Sequence, residues 1–569
     1  MKLIVGIDFG TSTTVVRYKK EGTDIVLPVK DLNGMSDVIP SAIFRKADNN
    51  ETQYGNEALS AYIGGVDGEL ITNFKMGLLE ADEDKKNEKK GQIEEFLKFV
   101  YKRFSQEIKG LNPSHIDVYV SYPAKWSDSF VNFMKNAVGK AGFGEIPSGG
   151  SEYSNIYGIN EPKAATYNLL HSHLKGFKDT SMLSSKRPMY VFMLDMGAGT
   201  TDIVIFRLKI DSSKQIEIDN LLSYPTVDNP NLCGGREIDK ILSNYIIEYV
   251  KEETHIPELP EDFFNIDSAK FWKDQVVSKM LGQNVNVNLP QEIAKTMNYM
   301  PNGDNAKKKF ILTRSAFETA TKGHWESLYD IISSAIKLYK AKFNIGPKDI
   351  DFLFLTGGHS QWYTVPNLFN GEGVCGYIGK DCKIENRLYK ALDFKKLREE
   401  PWRMFSDSLP HECVAKGLCL QDADFGGESE TSGNITFGEV SANNIWIELE
   451  INNKKSKKIL IAEVGDKLPI EVNKEIDLGI IKSDWQTEKN NDFRGTFNVY
   501  SGEKEETAIQ HQRPIELNLS LFKSLFFGSK FIVKCSCDVT MNNDCTLSFS
   551  GNVSIDNTSI FANPDIITF

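Results

Sequence analysis

Along this chain, two stretches of branched and aromatic residues are each folded back by a short polar turn. Met189-Tyr190-Val191-Phe192-Met193-Leu194 and Ile203-Val204-Ile205-Phe206-Arg207-Leu208 suit a pleated surface, and Asp195-Met196-Gly197-Ala198-Gly199-Thr200-Thr201-Asp202 between them predicts a hairpin. The chain opens the same way: Leu3-Ile4-Val5-Gly6-Ile7 leads through Asp8-Phe9-Gly10-Thr11-Ser12-Thr13-Thr14 into Val15-Val16-Arg17-Tyr18. Apolar residues then recur at helical spacing at Ile93, Phe96, Leu97, Val100, Phe104 and Ile108, and again at Ile238, Ile241, Leu242, Tyr245, Ile246, Tyr249 and Val250. Strand-like runs at 116–121 and 351–356 complete an alternation of strands and helices up to about residue 425. Two similar hairpins heading two long segments predict an α/β scaffold of two related lobes. Beyond residue 435 the pattern is strand-like only, at 445–451, 458–463, 468–472, 496–500, 515–519, 531–539 and 546–553, which predicts a β-domain.

The two turns carry the chemistry. Gly10, Gly197 and Gly199 permit close backbone approach, so the N–H groups around Gly10, Thr11, Ser12 and around Gly197, Ala198, Gly199, Thr200, Thr201 can hold phosphate oxygens. Asp8, Asp195 and Asp202 place carboxylates beside them, where a hydrated divalent cation screens phosphate charge. Gly234 and Gly235 precede a helix, so backbone donors there could also meet phosphate, with a tight turn as the alternative role. Neither a Gly-x-x-x-x-Gly-Lys-Ser/Thr loop nor a Gly-x-Gly-x-x-Gly fingerprint is present.

Five segments occur in one order: Gly6-Ile7-Asp8-Phe9-Gly10-Thr11, Asn160-Glu161-Pro162-Lys163-Ala164-Ala165, the Asp195 turn, Gly234-Gly235-Arg236-Glu237-Ile238-Asp239 and Thr356-Gly357-Gly358-His359-Ser360. On these motifs residues 1–425 resemble the seventy-kilodalton heat-shock chaperone family within the actin-like ATPases. The resemblance implies a two-lobed actin-like ATPase fold with lobe I at 1–188, lobe II at 189–370 and a return to lobe I at 371–425 that includes an insertion. A linker at 426–434 and a β-sandwich-like substrate- or partner-binding domain at 435–569 follow.

The resemblance also implies residue roles. Lys75 is similar to the family's lysine that reaches the transferred phosphate, and Glu161 to the residue that orients the attacking water. Gly357, Gly358 and Ser360 would face adenosine. The family's arginine after that turn is replaced by Gln361, with Trp362 as either a stacking substitute or a core residue, and Gln275, Ser278 and Lys279 stand where a glutamate and basic residues are expected. His359 has no metal-spaced partner and reads as a satisfied or surface histidine. The hydrophobic linker cluster of the family is poorly matched by Asp424-Phe425-Gly426-Gly427, which predicts weak coupling, and the short tail after Val553 implies no helical lid.

Composition narrows the setting. The 569 residues are 40% hydrophobic and 25% charged with a net charge of -12, which opposes nonspecific nucleic-acid binding. No positively charged leader with an apolar core opens the sequence and no run of about 20 apolar residues follows, so a soluble cytoplasmic protein without membrane contact is expected. Eight scattered cysteines, without a Cys-x-x-Cys pair, argue against a disulfide framework, and Cys535 and Cys537 fall on one face of a strand pattern as buried residues.

The combined expectation is magnesium-dependent binding of ATP and its slow hydrolysis to ADP and phosphate. Asp8, Asp195 and Asp202 would organise the metal, Thr11 and Thr200 the phosphates, and Glu161 and Lys75 the attacking water and the charge, with Asp195 counted among the catalytic groups. The β-domain would take a protein or extended peptide, with co-chaperone-like regulators as further partners. Two other mechanisms use the same turns: an actin-like small-molecule kinase, and a nucleotide-gated structural or interaction protein.

Overall fold

The computed structural model describes residues 1–31, 36–49, 51–79, 82–123, 128–147, 153–210, 216–224, 233–254, 258–259, 263–283, 285–288, 311–370, 394–406, 409–421, 435–438, 444–451, 454–463, 466, 470–482, 494–502, 504–506, 508–510, 515–518, 530–541, 546–555 and 558–568. The Asn33-Gly34 pair, whose sequence favours a turn, most of the insertion after residue 371 and the linker at 426–434 lie outside these residues. The chain is a mixed α/β protein that divides into two compact units: residues 1–123, 132–203 and 231–433 form the first, and 124–131, 204–230 and 434–569 the second.

In the first unit, β1 (Lys2–Phe9) pairs antiparallel with β2 (Thr13–Lys20), as the opening pattern predicts. On its other side β1 pairs in parallel with β3 (His115–Tyr122), which pairs in parallel with β4 (Ile156–Asn160). Three parallel strands place their carboxyl ends on one edge of the sheet, the edge at which open α/β sheets bind ligands. Asp8, Ser121 and Asn160 therefore gather there. The second sheet of this unit repeats the arrangement. β5 (Met189–Met196) is parallel to β6 (Phe352–Thr356), which is parallel to β7 (Met404–Ser406), so Asp195 stands opposite Thr356 at their carboxyl ends.

Helices α1 (Gly55–Ile63), α2 (Glu83–Glu107), α3 (Glu161–Asp179), α4 (Gly235–Thr254), α5 (Ile266–Trp272), α6 (Lys322–Phe343) and α7 (Cys413–Cys419) surround these sheets. The mixed charge run before residue 91 is the exposed beginning of α2, capped by the Asp82 carboxylate, which accepts from the N–H groups of Asp84 and Lys85. Further along α2, Phe96 meets Phe74 and Phe9 at centroid distances of 5.4 and 6.3 Å. A side chain at Gly417 would collide with the Ala164 carbonyl, so α7 crosses α3 at a separation only glycine permits. Arg17 on β2 meets Glu412 at 2.5 Å with both side chains under 5% exposed, a pair whose breaking leaves a buried charge and costs about 3–5 kcal/mol.

The strand Thr201–Ile210 begins in the first unit and continues into the second. There Arg207 and Lys209 hold Asp219 of the strand Ile216–Tyr224 in ion pairs, the lysine at 2.9 Å. Ile435–Gly438 adds in parallel to the same strand, Ile216 opposite Ile435 through Asp219 opposite Gly438, rather than to either of the sheets that follow. One of those sheets centres on Asn444–Ile451 and Arg494–Gly502, whose Ile445, Ile447, Leu449, Phe497 and Val499 form a buried apolar face. The other runs Ile470–Lys482, Lys530–Met541, Thr546–Ile555, Thr558–Thr568, all antiparallel. The last strand corrects the expected short tail. Pro564 conceals it in the sequence, but Thr558–Thr568 is the outermost strand and its register shifts between the Phe549 and Gly551 pairings, where a missing N–H is tolerated. No described helix is long and apolar enough to cross a membrane.

Candidate functional site

The first turn is closed by the Gly10 N–H donating to the Thr13 carbonyl at 3.0 Å. Ser41 braces it from behind: its hydroxyl donates to the Gly10 carbonyl at 3.0 Å and its N–H to the Ser12 carbonyl at 2.9 Å. Gly10, Thr11 and Ser12 are left half-buried at the surface of the turn. Asp8, at the end of β1, accepts a 2.7 Å hydrogen bond from the Ser121 hydroxyl on the neighbouring strand. Ser41 and Ser121 carry no motif of their own, and only the strand register reveals them.

Lys75 and Glu161 form the centre of the site, Nζ to Oε1 at 3.0 Å, with the lysine side chain 7% and the glutamate 17% exposed. The lysine is positioned by its neighbours: Asn73 takes a left-handed φ of 58°, and Phe74 stacks on Phe9 at 5.9 Å. Glu161 opens α3, where the Asn160 side chain accepts from the Lys163 N–H at 2.8 Å and Pro162 occupies the first turn, as the Asn-Glu-Pro sequence predicts. A carboxylate at a helix start is favoured by the macrodipole, yet Glu161 also feels opposing effects. Burial raises its pKa, Lys75 lowers it, and the charges of Asp8 and Asp202 raise it again.

The second turn repeats the first, with the Gly197 N–H donating to the Thr200 carbonyl at 2.9 Å. The strands reach further than the apolar pattern suggests, to Met196 and from Thr201, so Asp195 is a strand residue and the turn proper is Gly197 to Thr200. Gly357 packs directly onto it. With φ at 79°, a Cβ there would lie 2.5 Å from Asp195 Oδ1 and against the Met196 carbonyl, so no other residue fits. The Thr200 hydroxyl donates to Asp202 Oδ2 at 3.2 Å. The two turns come together: the Cβ position of Gly199 is 3.4 Å from Thr11 Oγ1 and 3.2 Å from the Met76 sulfur.

Several expected phosphate or adenosine contacts are already engaged. The Gly235 N–H donates to the Gly197 carbonyl at 3.1 Å and the Arg236 N–H to the Ala198 carbonyl at 2.8 Å, so the start of α4 grips the turn itself. A Cβ on Gly234 would stand 2.5 Å from the Ala198 carbonyl, which gives that glycine its tight-packing role. The fully buried Thr201 donates its hydroxyl to the Cys233 carbonyl, and Ser360, 1% exposed, donates to the Gly357 carbonyl at 2.7 Å. Gly358 remains exposed. Trp362 is a core residue against Phe317, and His359 is satisfied, its Nε2 lying 3.1 Å from Nε2 of His324. Gln275 and Lys279 are exposed, whereas the buried cation of that stretch is Lys273, 2.6 Å from Asp239.

Electrostatics define what the site can accept. Burial raises the pKa of Asp195 well above the ordinary carboxylate range, and the charges of Glu161, Asp202 and Asp8 add to it. Burial raises Asp8 as well, opposed by Lys75 and the Ser121 hydrogen bond. Among the described residues four carboxylates thus face one lysine, a donor set of hard oxygens that calls for further positive charge. Among the described residues no three side chains converge closely enough to ligate a bare metal ion. The set suits a divalent cation held through its water shell and through a phosphate ligand, as magnesium is commonly bound.

No family model matches the chain. Curated relatives do: the chaperone protein DnaK of Thermosipho melanesiensis is 23% identical over 515 residues, covering 87% of this chain and 73% of the relative. The DnaK proteins of Thermotoga petrophila and Thermotoga maritima are each 24% identical over 526 residues, covering 88% of this chain and 73% of the relative. Over most of its length the chain is thus similar, at low identity, to DnaK chaperones, which is consistent with a divergent member of the seventy-kilodalton heat-shock chaperone family.

Proposed function

We propose that the chain is a two-lobed actin-like ATPase that binds ATP with magnesium, hydrolyses it slowly to ADP and phosphate, and couples the nucleotide state to capture of a protein or extended peptide by residues 435–569 in the cytoplasm. The observation that carries this reading is the meeting of two aspartate-headed glycine–threonine turns over the Lys75–Glu161 pair. Phosphate oxygens would lie on the half-buried N–H groups and hydroxyls of Thr11, Ser12, Ala198, Gly199 and Thr200. Magnesium, when bound, would supply the positive charge that Asp8, Asp195 and Asp202 lack.

Glu161 would orient the attacking water through its free oxygen while Lys75 holds the other. As the water oxygen bonds to the terminal phosphorus and the bond to the ADP oxygen breaks, the Lys75 ammonium would share itself between Glu161 and the charge-rich phosphoryl group. The water proton passes to Glu161, whose raised pKa makes it a competent acceptor, and from there to the departing phosphate or solvent.

Calorimetric titration of ATP with and without magnesium, paired with single-turnover hydrolysis, tests the reading. Magnesium-dependent binding with slow phosphate release is expected. Absence of binding by folded protein removes the assignment, and rapid phosphorylation of a small hydroxyl compound would make the chain a kinase.

A further inference from the structure

Behind the second turn lies a buried polar cluster that the proposed chemistry does not use. His324 on α6 and His359, just after β6, face each other Nε2 to Nε2 at 3.1 Å, 6% and 8% exposed. Trp325 covers them, stacked on His359 at 5.9 Å and edge-on to His324 within the same helix turn at 4.8 Å. Its indole N–H donates to the Thr321 hydroxyl at 3.0 Å, which fixes the ring. One imidazole must donate and the other accept, so the pair is one neutral N–H···N hydrogen bond.

Besides Gly357, which lies two residues before His359 and packs on Asp195 and Met196, one segment of chain links the pair to the turn. On one side the segment from Cys233 to Arg236 holds the turn, with the Thr201 hydroxyl on the Cys233 carbonyl, the Gly235 N–H on Gly197 and the Arg236 N–H on Ala198. On the other side it is held by the cluster. The Cys233 thiol donates to the His324 carbonyl at 3.4 Å, and the Cβ position of Gly235 lies 3.4 Å from both His359 Nδ1 and Lys273 Nζ. Lys273 also donates to the Gly235 carbonyl at 3.2 Å. A shift of either imidazole therefore moves the peptide groups that grip Gly197 and Ala198.

We infer that the His324–His359 hydrogen bond is a positioning device for the Gly197–Thr200 turn, acting through the segment from Cys233 to Arg236. Its consequence for phosphate binding rests on the proposed function, but the positioning itself does not. The device requires both rings neutral. Burial holds His324 down at about 4 and His359 well below its ordinary value, and the Lys273 cation beside them acts in the same direction. The other titratable groups around the cluster are Asp239 and Glu237 on α4, Lys270 and Asp274 next to Lys273, and the Cys233 thiol, which burial pushes up to about 12.

Amide hydrogen exchange on the nucleotide-free full chain tests this. His324→Met keeps the bulk without a donor or acceptor, and His324→Gln restores a polar group near Nε2. Exchange at the Gly235 and Arg236 amides should rise about tenfold or more in His324→Met and return towards the parent rate in His324→Gln, the size expected for losing one buried hydrogen bond. The Val118 N–H, bonded to the Asn155 carbonyl at 2.8 Å in the other sheet, reports global opening and should stay unchanged. Unchanged Gly235 and Arg236 exchange overturns the inference, and so does an equal rise at all three amides. If His324→Met does not fold, His359→Asn, which cannot span to His324 Nε2, carries the same comparison. With ATP and magnesium, His324→Met should weaken affinity several-fold while the single-turnover rate of bound nucleotide holds. If the parent protein binds no nucleotide, the functional reading fails and the exchange result still decides the positioning.

Discussion

Lys75 Nζ lies 3.0 Å from Glu161 Oε1, and these two residues, separated by 86 positions in sequence, are brought together by a stacked phenylalanine on one side and a capped helix start on the other. The ion pair leaves one glutamate oxygen uncommitted to the lysine. Glu161→Gln keeps the shape and removes the charge. Hydrolysis in single turnover should fall about a hundredfold, within the range for losing a general base, with ATP affinity changed by less than about threefold. Lys75→Ala should cost about the same in rate, because it removes the cation facing the transferred group. Unchanged chemistry in both variants would exclude the pair from the reaction.

Asp195 is held neutral more readily than an ordinary carboxylate, because it is buried among Glu161, Asp202 and Asp8. The sign of the linkage follows. A carboxyl whose folded pKa is raised binds more protons folded than unfolded, so stability is greatest below the unfolded pKa of about 4 and declines as pH rises towards the folded value. The nucleotide-free protein should therefore melt at a lower temperature at pH 7 than at pH 5 as far as this group is concerned, and magnesium with ATP should reverse the decline. Asp195→Asn should raise the melting temperature of the free protein and flatten this dependence, while weakening magnesium-dependent ATP binding about tenfold or more, roughly 1.4 kcal/mol. Scanning calorimetry at both pH values checks it, and an unchanged or lowered melting temperature counts against the repulsion.

Much of this site is legible in the sequence because its signals are local. A turn between two apolar runs, a proline after an Asn-Glu pair and a glycine pair before helical spacing each act within a few residues, and Gly197 and Glu161 fall where those signals place them, while Asp8 and Asp195 lie on the strand ends just before their turns. What is not legible depends on partners far along the chain. Ser121 reaches Asp8 only because β1 and β3 are parallel, and His324 satisfies His359 across 35 positions. Thr201 and Ser360 carry the right hydroxyls but point them at nearby backbone carbonyls, which a motif does not encode. The strand Thr558–Thr568 is hidden for a different reason: a proline weighs against a strand unless the strand is at an edge, and edge position is a property of the whole sheet.

Tyr62 on α1 and Asn265 at the cap of α5 meet through a hydrogen bond from the Asn265 amide to the tyrosine hydroxyl. The same Asn265 accepts from the Ser268 N–H at 2.9 Å, and nearby the Thr72 hydroxyl donates to Asp267 at 3.3 Å, three residues before Lys75. These contacts tie segments about 200 residues apart beside the lysine, so they should slow the departure of bound nucleotide. Tyr62→Phe removes one hydrogen bond and preserves the cap. Dissociation of a fluorescent ADP analogue should speed up about three- to tenfold, the range for one bond of 0.5–1.5 kcal/mol, with single-turnover hydrolysis unaltered. An unchanged dissociation rate would make the contact purely structural.

His324, held down at about 4 by burial and the nearby Lys273, gives the protein an acid limit. The folded state keeps the ring neutral while the unfolded chain protonates it below about 6.5, so its contribution to stability is complete above that pH and is lost as pH falls towards 4. His324→Gln should reduce the fall in denaturation midpoint between pH 6.5 and 5, measured by urea titration. The same slope in parent and variant would show that other groups set the acid limit.

Under the proposed function, the strand Ile435–Gly438 would bound how strongly nucleotide state reaches the sheets that follow it. The strand that starts beside Asp202 runs to Ile210, Arg207 and Lys209 on it hold Asp219, and Asp219 lies on the strand whose open edge takes up residues 435–438. The attachment is a parallel ladder over four residue pairs, so only two or three backbone hydrogen bonds distinguish docked from released. At 0.5–1.5 kcal/mol each, less any cost of ordering the segment, the docking is worth on the order of 1–3 kcal/mol, and coupling cannot exceed it. Peptide affinity of the full chain should therefore change by no more than about 150-fold between ATP and ADP, the factor that corresponds to about 3 kcal/mol. Thr436→Pro deletes a backbone donor and, if that N–H belongs to the ladder, should abolish the nucleotide effect while leaving peptide affinity in ADP within about twofold. If Thr436→Pro leaves the effect intact, Phe437→Pro tests the adjacent donor, since one of two successive N–H groups on a strand faces the ladder and the other faces away. A thousandfold nucleotide effect, about 4 kcal/mol, or one that survives both substitutions, would mean that coupling travels by a route other than this strand.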